Sequence, residues 1–474
     1  MLDRRQLLIA GGITLLGGCT TAGMAGASSA APATTANLFA DIHQRAFRFF
    51  WERSNPANGL MPDRWPTPSF ASIAATGFAL TAYPIGVKHG WISRAQARER
   101  TLATLRFFWT APQGDAPSGT SGYKGFFYHF LDMARGLRFR RNELSSIDTS
   151  LLLGGVLFAG QFFDRPEERE IRDLAAKIYA RCDWRWFQQH DAQKRVSMGW
   201  HPESGFLERP WFGYTEGQIL YILALGAPDY SLDRDAYDGW CSTYGESWRG
   251  SDDTRHLAFG PQFAHQFTQC WVDMRGIRDA TMREAGFDYF ENSRRATYWQ
   301  RDYAIRNPGK WVGYSKDVWG LSACDGPGGV QAMVDGTQRQ FIGYAARGPI
   351  GLPDGLDDGT IAPYAAIASL PFAPEIVEPT AHALHARYGS AIYGRYGFLD
   401  AFNPSFTFAN LPHDHGSITT TAGWVDSDYL GIDQGPIVAM IENQRSGLVW
   451  DAMREHPAIK RGLQRAGFTG GWLG

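Results

Sequence analysis

Three carboxylates occupy the same place in three segments that are apolar nearly all round. Asp148 precedes Thr149-Ser150-Leu151-Leu152-Leu153, Glu216 precedes Gly217-Gln218-Ile219-Leu220, and Asp433 precedes Gln434-Gly435-Pro436-Ile437-Val438. An acidic side chain in a first helical turn accepts from free N–H groups and meets the positive end of the helix dipole, so one alone needs no further role. Three that converge at one end of a helical assembly can supply what glycoside hydrolysis requires. One carboxyl keeps its proton for the leaving oxygen, and an ionised one activates water or attacks carbon. Glu216 ends the run Trp211-Phe212-Gly213-Tyr214-Thr215, the most aromatic of the three settings. Burial there raises a carboxyl pKa and suits the general acid. Asp148 sits among the hydroxyls of Ser145, Ser146, Thr149 and Ser150, which favour the ionised form, and Glu143 lies upstream in the same loop. Asp148, Glu143 and Asp433 are the candidates for the base.

Positioning such groups falls to helices of two kinds. Segments 72–83, 147–163, 216–226, 262–272, 360–370 and 433–442 lack a polar face, and a helix without one is buried on all sides. Segments 38–53, 93–110, 166–182, 232–247, 278–300 and 376–388 alternate with them and are amphipathic, with Ser93 and Gln96 forming a capping-box pattern. Six buried helices interleaved with amphipathic ones predict an all-α fold, an (α/α)6 barrel, with a short helix near 448–466 closing it. Inner helices would then run parallel, with their N-termini gathered at one end. Long loops would decorate that end, with at most short β-hairpins, expected between 306 and 358.

Aromatic residues make up 14% of the chain, including 17 Trp, enough to ask which of them stack on sugar rings. Tyr214, Trp271, Trp319 and Trp424 are expected at the same mouth as platforms. Lys124, His129, Asp273, Arg275 and Asp325 are polar groups inside aromatic stretches, a costly placement unless they pair with one another or bind hydroxyls.

The 474 residues carry 46 Lys+Arg against 48 Asp+Glu, and 44% are hydrophobic. That excludes a disordered chain, and the absence of a basic block argues against nucleic acid or a polybasic membrane surface as partner. At the N-terminus, Arg4 and Arg5 precede an apolar run ending in Leu16-Gly17-Gly18-Cys19, the order of an export signal with a lipobox. The expected organisation is a signal over 1–19 with Cys19 lipidated, a tether over 20–36 and a single domain over 37–474. The protein is then exported, periplasmic or anchored to the outer membrane of a bacterium through that lipid alone. Cys182, Cys241, Cys270 and Cys324 are far apart, no Cys-x-x-Cys occurs, and no His cluster has ligand spacing, so no metal site is expected. One disulfide is permitted in an oxidising compartment, and buried free thiols fit as well.

Several longer motifs resemble one family. Gly125-Phe126-Phe127-Tyr128-His129-Phe130-Leu131-Asp132, Glu143-Leu144-Ser145-Ser146-Ile147-Asp148-Thr149 and Trp271-Val272-Asp273-Met274-Arg275-Gly276 are similar to segments of the bacterial glucoamylase-like proteins. So are Trp319-Gly320-Leu321-Ser322-Ala323-Cys324-Asp325-Gly326-Pro327, Asp358-Gly359-Thr360-Ile361-Ala362-Pro363 and Gly431-Ile432-Asp433-Gln434-Gly435-Pro436. That group includes glycoside hydrolase family 144, the β-1,2-glucanases, and the resemblance runs from about residue 40 to residue 468. It implies an (α/α)6 barrel, inverting hydrolysis of β-1,2-glucan to short sophoro-oligosaccharides and no cofactor. Glu216 is the implied acid, with the base left among Asp148, Glu143 and Asp433. Inversion expects acid and base about 6.5–9.5 Å apart, or further with a proton relay. Cys324 departs from the small hydroxyl residue expected in its motif. Exo action releasing sophorose, another β-glucan, and a non-catalytic glycan-binding lipoprotein are the alternatives. A polysaccharide lyase is disfavoured by the neutral charge balance and the carboxylate-rich motifs. A monomer is the default.

Overall fold

The computed structural model describes residues 35–188, 193–349 and 356–474. The export signal, Cys19 and the tether up to residue 34 lie outside them. Twelve helices matter for the site. They are α1 (Thr35–Arg53), α2 (Ile73–Lys88), α3 (Arg94–Thr110), α4 (Ser146–Phe162), α5 (Arg169–Ala180) and α6 (Gln218–Gly226), then α7 (Arg234–Cys241), α8 (Phe263–Gln266), α9 (Tyr289–Arg306), α10 (Pro363–Ile367), α11 (Pro374–Ile392) and α12 (Gly431–Arg445). The even-numbered helices are the segments without a polar face. Two of them are shorter than the sequence predicts, α8 passing into a 3-10 turn over Thr268–Cys270 and α10 making little more than one turn. The expected closing segment is two helices, Leu448–Arg454 and Pro457–Arg465, the second packed on α6. The Ser93–Gln96 capping box is present at the start of α3.

Packing follows chain order among the buried helices. α2 packs on α4, α4 on α6, α10 on α12 and α12 on α2. Ile219 N donates to Thr268 Oγ1 at 3.1 Å, joining α6 to the turn after α8, and Gln266 Nε2 donates to Ala365 O at 2.8 Å, joining α8 to α10. One apolar cluster runs through all of them, from Leu38 to Phe468.

The closest approach is between α2 and α4, where the sequence supplies glycine on both sides. A Cβ on Gly155 would lie 1.9 Å from the carbonyl oxygen of Gly77, and one on Gly77 would lie 2.4 Å from that of Leu151. Backbone cannot retreat as a flexible side chain can, so Gly155→Ala should push the helices apart. The expected cost is about 3 kcal/mol, a melting temperature lower by roughly 3–6 °C. An unchanged melting curve would show that the two backbones are not in contact.

Hydrogen bonds place the N-termini of the buried helices together. Ile73 N donates to His129 O at 3.3 Å, and Gly431 N donates to Asp63 O at 2.8 Å. Phe263 N and Tyr364 OH both donate to Ser322 Oγ, at 3.2 and 2.6 Å, which brings the starts of α8 and α10 to one hydroxyl. Three of these helices are entered directly from a two-residue strand: Ala71–Ser72 into α2, Leu144–Ser145 into α4 and Tyr429–Leu430 into α12. The strand before each helix is paired on a neighbour, which fixes where the helix begins.

These strands correct one expectation. Each is short, but they are not confined to hairpins in 306–358. Leu144–Ser145 is the centre of a five-stranded antiparallel sheet with Gly122–Tyr123, Phe126–Tyr128, Gly199–His201 and Gly205–Phe206. Arg64–Trp65 pairs with Tyr429–Leu430, joining the two ends of the domain. The 306–358 region holds the hairpin Gln331–Val334 with Thr337–Gln340, and Ala323–Cys324 paired with Ala345–Ala346. Among the described residues the cysteines are free thiols, and no helix is long and apolar enough to cross a membrane.

Candidate active site

At the gathered helix N-termini, His129 lies between two of the predicted carboxylates. Its Nδ1 is 2.8 Å from Glu143 Oε1, its Nε2 is 3.4 Å from Asp148 Oδ1, and its ring stacks on Phe130. Asp148 stands in the first turn of α4, where the N-cap Ser145 accepts from its backbone N–H and donates to its Oδ2 at 2.5 Å. Burial opposes a charge on His129, but Asp148, Glu143 and Asp63 override it and push the imidazole up to about 9. Burial likewise works to raise Glu143, and His129 reverses it, holding that carboxyl below its ordinary value. The result is an imidazolium that keeps Glu143 ionised beside Asp148. His129→Gln should lower turnover by about 100-fold or more while the far-UV spectrum stays unchanged, because two buried carboxylates lose their counter-charge. An equal rate in the variant would make the histidine a packing residue.

A second group of carboxylates closes the same end. Asp433 is in the first turn of α12 and is 1% exposed. Around it stand Asp63, Asp325, Asp400, Asp426 and Asp428, all buried. Arg64 Nη1 donates to Asp325 Oδ2 at 2.5 Å and lies 3.5 Å from Asp428 Oδ2, and Asp400 Oδ2 accepts from Asp325 N at 2.7 Å. One guanidinium cannot neutralise this many acids, and protons do the rest. Burial and Asp325 push Asp400 up to about 7, and burial with Asp325, Asp400 and Asp428 pushes Asp426 up to about 10. Asp433 is raised well above its ordinary value by burial and by the charge of Asp400. This setting favours a proton holder at Asp433, whereas the settings of Asp148 and Glu143 suit a base. Oxygens of Asp325, Asp400 and Asp426 come within 4.8 Å of one another, as do donor atoms of His129, Glu143 and Asp148. In both groups a cationic side chain already meets the carboxylates. Beneath Asp325, the buried Arg347 grips Asp358 with Nε and Nη2 at 2.7 and 2.9 Å and donates to Cys324 O at 2.8 Å. Cys324 thus sits in a strand held from below.

Glu216 lies in the turn before α6 and is 1% exposed. Trp211 joins the turn that carries it to the start of α4. The indole Nε1 donates to Ser146 Oγ at 3.0 Å, next to the α4 carboxylate, and a Cβ on Gly217 would come within 3.3 Å of the same ring. One aromatic side chain therefore bridges the starts of α4 and α6, the two segments that carry Asp148 and Glu216.

The family model described as "Putative glucoamylase" matches residues 208–457, which include Glu216, Asp325, Asp400, Asp426 and Asp433. The chain belongs to that family. A Bacteroides uniformis structure described in the same words is 30% identical, with a TM-score of 0.76, over 93% of this chain and 99% of the other. The endo-β-1,2-glucanase of Chitinophaga pinensis, in complex with sophorotriose and glucose, is 25% identical, with a TM-score of 0.77, over 93% of this chain and all of that one. A curated relative from Parabacteroides distasonis, an exo β-1,2-glucooligosaccharide sophorohydrolase acting at the non-reducing end, is 26% identical over 461 residues. The chain spans 58% of that relative's length.

In this glucoamylase-family chain, some residues expected at the mouth are elsewhere. Trp271 is 0% exposed, donates from Nε1 to Thr81 Oγ1 at 2.9 Å and stacks on Phe78, in the interior between α2 and the turn after α8. Asp273 is ion-paired with Arg275 and Arg454, and Arg275 lies over Trp450. Both belong to the opposite end, because Cys270 O accepts from Asn443 at the C-terminal end of α12, a helix whose first turn carries Asp433. Tyr214 is buried too, its OH 3.2 Å from His265 Nδ1 and its ring stacked on Tyr289. Lys124 is on an exposed turn, 3.7 Å from Asp183. Trp424 is 0% exposed with Nε1 donating to His415 O, and it backs the strand that leads to Asp426. Trp319 stays at the carboxylate end, since Ala362 N donates to Gly320 O at the start of α10, and its buried Nε1 has no hydrogen-bond partner among the described residues. Asp63, Arg64, Asp400, Asp426 and Asp428 escaped the sequence reading. The alternation Asp426-Ser427-Asp428 directly before a buried helix was the available signal.

Proposed function

We propose that this protein hydrolyses β-1,2-glucosidic bonds by inversion, with endo action giving short sophoro-oligosaccharides. The observation that carries this reading is the coincidence of a likeness covering all of the Chitinophaga pinensis endo-glucanase with a carboxylate-lined helix end. Glu216 is the general acid. Asp148, oriented by Ser145 and His129, is the base, with Glu143 holding the histidine. The helix order supports an (α/α)6 barrel. The Parabacteroides distasonis relative's exo activity gives the second reading, release of sophorose from an end.

Chromatography of products from linear β-1,2-glucan, beside β-1,3-glucan, β-1,4-glucan and starch, tests both. A ladder from β-1,2-glucan alone supports endo action, sophorose alone moves the assignment to exo action, and no product from any of the four ends it. The protein is further proposed to act as a monomeric exported lipoprotein. Replacement of Cys19 by Ala should release it from the membrane fraction, and an unchanged distribution would remove the anchor.

A further inference from the structure

His129 and Glu143 belong to a row that continues across the five-stranded sheet. His129 N donates to Glu143 O at 3.0 Å, which sets those two residues opposite one another. On the other side, the pairing of Leu144 with Trp200 and of Ser145 with Gly199 sets His201 opposite Glu143. Cross-strand partners share a face of the sheet, so His201 lies on the face that carries His129, Glu143 and Ser145. Gly199 makes room there. A Cβ on it would come 2.9 Å from Glu143 Cγ, so the glutamate leans over the strand that holds His201. The row ends at Gly205, the partner of His201 on the edge strand, where a Cβ would meet nothing within 4 Å. His201 is accordingly part-exposed.

Arg138 decides which nitrogen of this ring holds the proton. Its side chain is 1% exposed and fixed on every side, donating to Asn142 O at 2.8 Å, to Pro117 O at 3.1 Å and to both oxygens of Glu203 at 2.8 and 3.1 Å. Its Nη2 is 3.3 Å from His201 Nδ1. A guanidinium only donates, so Nδ1 accepts, and the single N–H of the neutral ring is at Nε2. Burial holds His201 below its ordinary value and Arg138 acts in the same direction, against the pull of Glu143 and Glu203. Among the described residues, nothing accepts from Nε2.

We propose that His201 is a substrate-contact residue, its Nε2–H donating to a hydroxyl oxygen of a glucosyl unit that lies along this row, with Arg138 as the positioning residue that holds the tautomer. The inference rests on the glucanase reading above and names a contact for it. A sugar hydroxyl both donates and accepts, and the row offers it a carboxylate from one strand and an N–H from the next. An uncharged donor also suits an uncharged ligand, because covering a neutral imidazole costs less than covering an imidazolium. Trp271 and Tyr214, expected to hold the sugar, are interior, so polar contacts of this kind take over part of that task. Nothing in the sequence around His201 marks it, since its role comes from the strand pairing and from an arginine more than sixty residues away.

The test combines binding with a direct view of the ring. His201→Leu, checked for fold by circular dichroism, should weaken binding of sophoro-oligosaccharides about tenfold, the worth of one neutral hydrogen bond, and raise KM for β-1,2-glucan more than it lowers kcat. His201→Gln, whose amide N–H reaches the same position, should recover most of that loss. Nitrogen NMR spectra of histidine-labelled protein should show His201 protonated at Nε2, and sophoro-oligosaccharide added to the Glu216→Gln protein should shift that resonance. Arg138→Met should raise the pH at which the ring titrates. Binding by His201→Leu as tight as by the parent, or a proton on Nδ1 in the free protein, overturns the proposal and leaves the glucanase reading standing. A parent protein that neither binds nor cuts β-1,2-glucan brings down both.

Discussion

Glu216→Gln is expected to lower turnover of β-1,2-glucan by about 10²–10⁴-fold, the contribution of a positioned general acid, with KM and melting temperature close to the parent values. The amide fills the same volume in a site only 1% exposed, so its packing survives while the transferable proton is lost. A glucoside with a more acidic leaving group needs less protonation and should lose less rate than the natural glucan. Retained binding with lost turnover separates a hydrolase from a glycan-binding protein that uses the same aromatics. Turnover within about tenfold of the parent would move the acid to Asp433, the carboxyl that burial and Asp400 favour in its protonated form.

Stability should fall as the solution becomes alkaline, and Asp426→Asn should cancel part of that fall. Asp400 and Asp426 are raised in the folded state to about 7 and about 10, against about 3.9 when unfolded. Between those values the folded state binds more protons, so each contribution is complete below about pH 4 and is lost as pH rises through the folded pKa. The slope is about 1.4 kcal/mol per pH unit for each group. His129, raised to about 9 from an ordinary value of 6.5, adds stability below the ordinary value that disappears on the way to pH 9. Glu143 acts oppositely, its lowered pKa giving stability at neutral pH that is lost in acid. An asparagine at 426 has no proton to lose and can still accept from Ser427 N as Asp426 does. At pH 8 the variant should gain about 2–4 kcal/mol, read as a melting temperature higher by several degrees; at pH 4 the two proteins should melt together. A shift of equal size at both pH values would mean that Asp426 is ionised throughout.

The parts of this site that the sequence reveals are those governed by helix periodicity. Asp148 and Asp433 stand out because an acid interrupts an otherwise apolar run, and both fall in first helical turns. Glu216 is found by the same reasoning although its helix begins two residues later, at Gln218. Trp271 is misplaced for a polarity reason. It follows the C-terminal end of the α8 segment, so the parallel arrangement that gathers N-termini at one mouth carries this residue away from it. The acids at 63, 400, 426 and 428 sit in the connections between short strands, too short to show any period. The five-stranded sheet is hidden for the same reason, since its strands are two or three residues long and are joined only by pairing across the fold.

The pairing of Arg64–Trp65 with Tyr429–Leu430 also bears on how the protein comes into being. While a ribosome is still adding residues, Asp63 and Arg64 are made first, and Asp426, Asp428 and Asp433 arrive only after most of the domain between them. A nascent chain can form α2 against α4, and bring His129, Glu143 and Asp148 together there, before it possesses the second group of carboxylates. Glucan cutting, under the function proposed above, therefore waits until residues 426–433 have been added, and a chain that stops before Asp426 folds in part and cuts nothing.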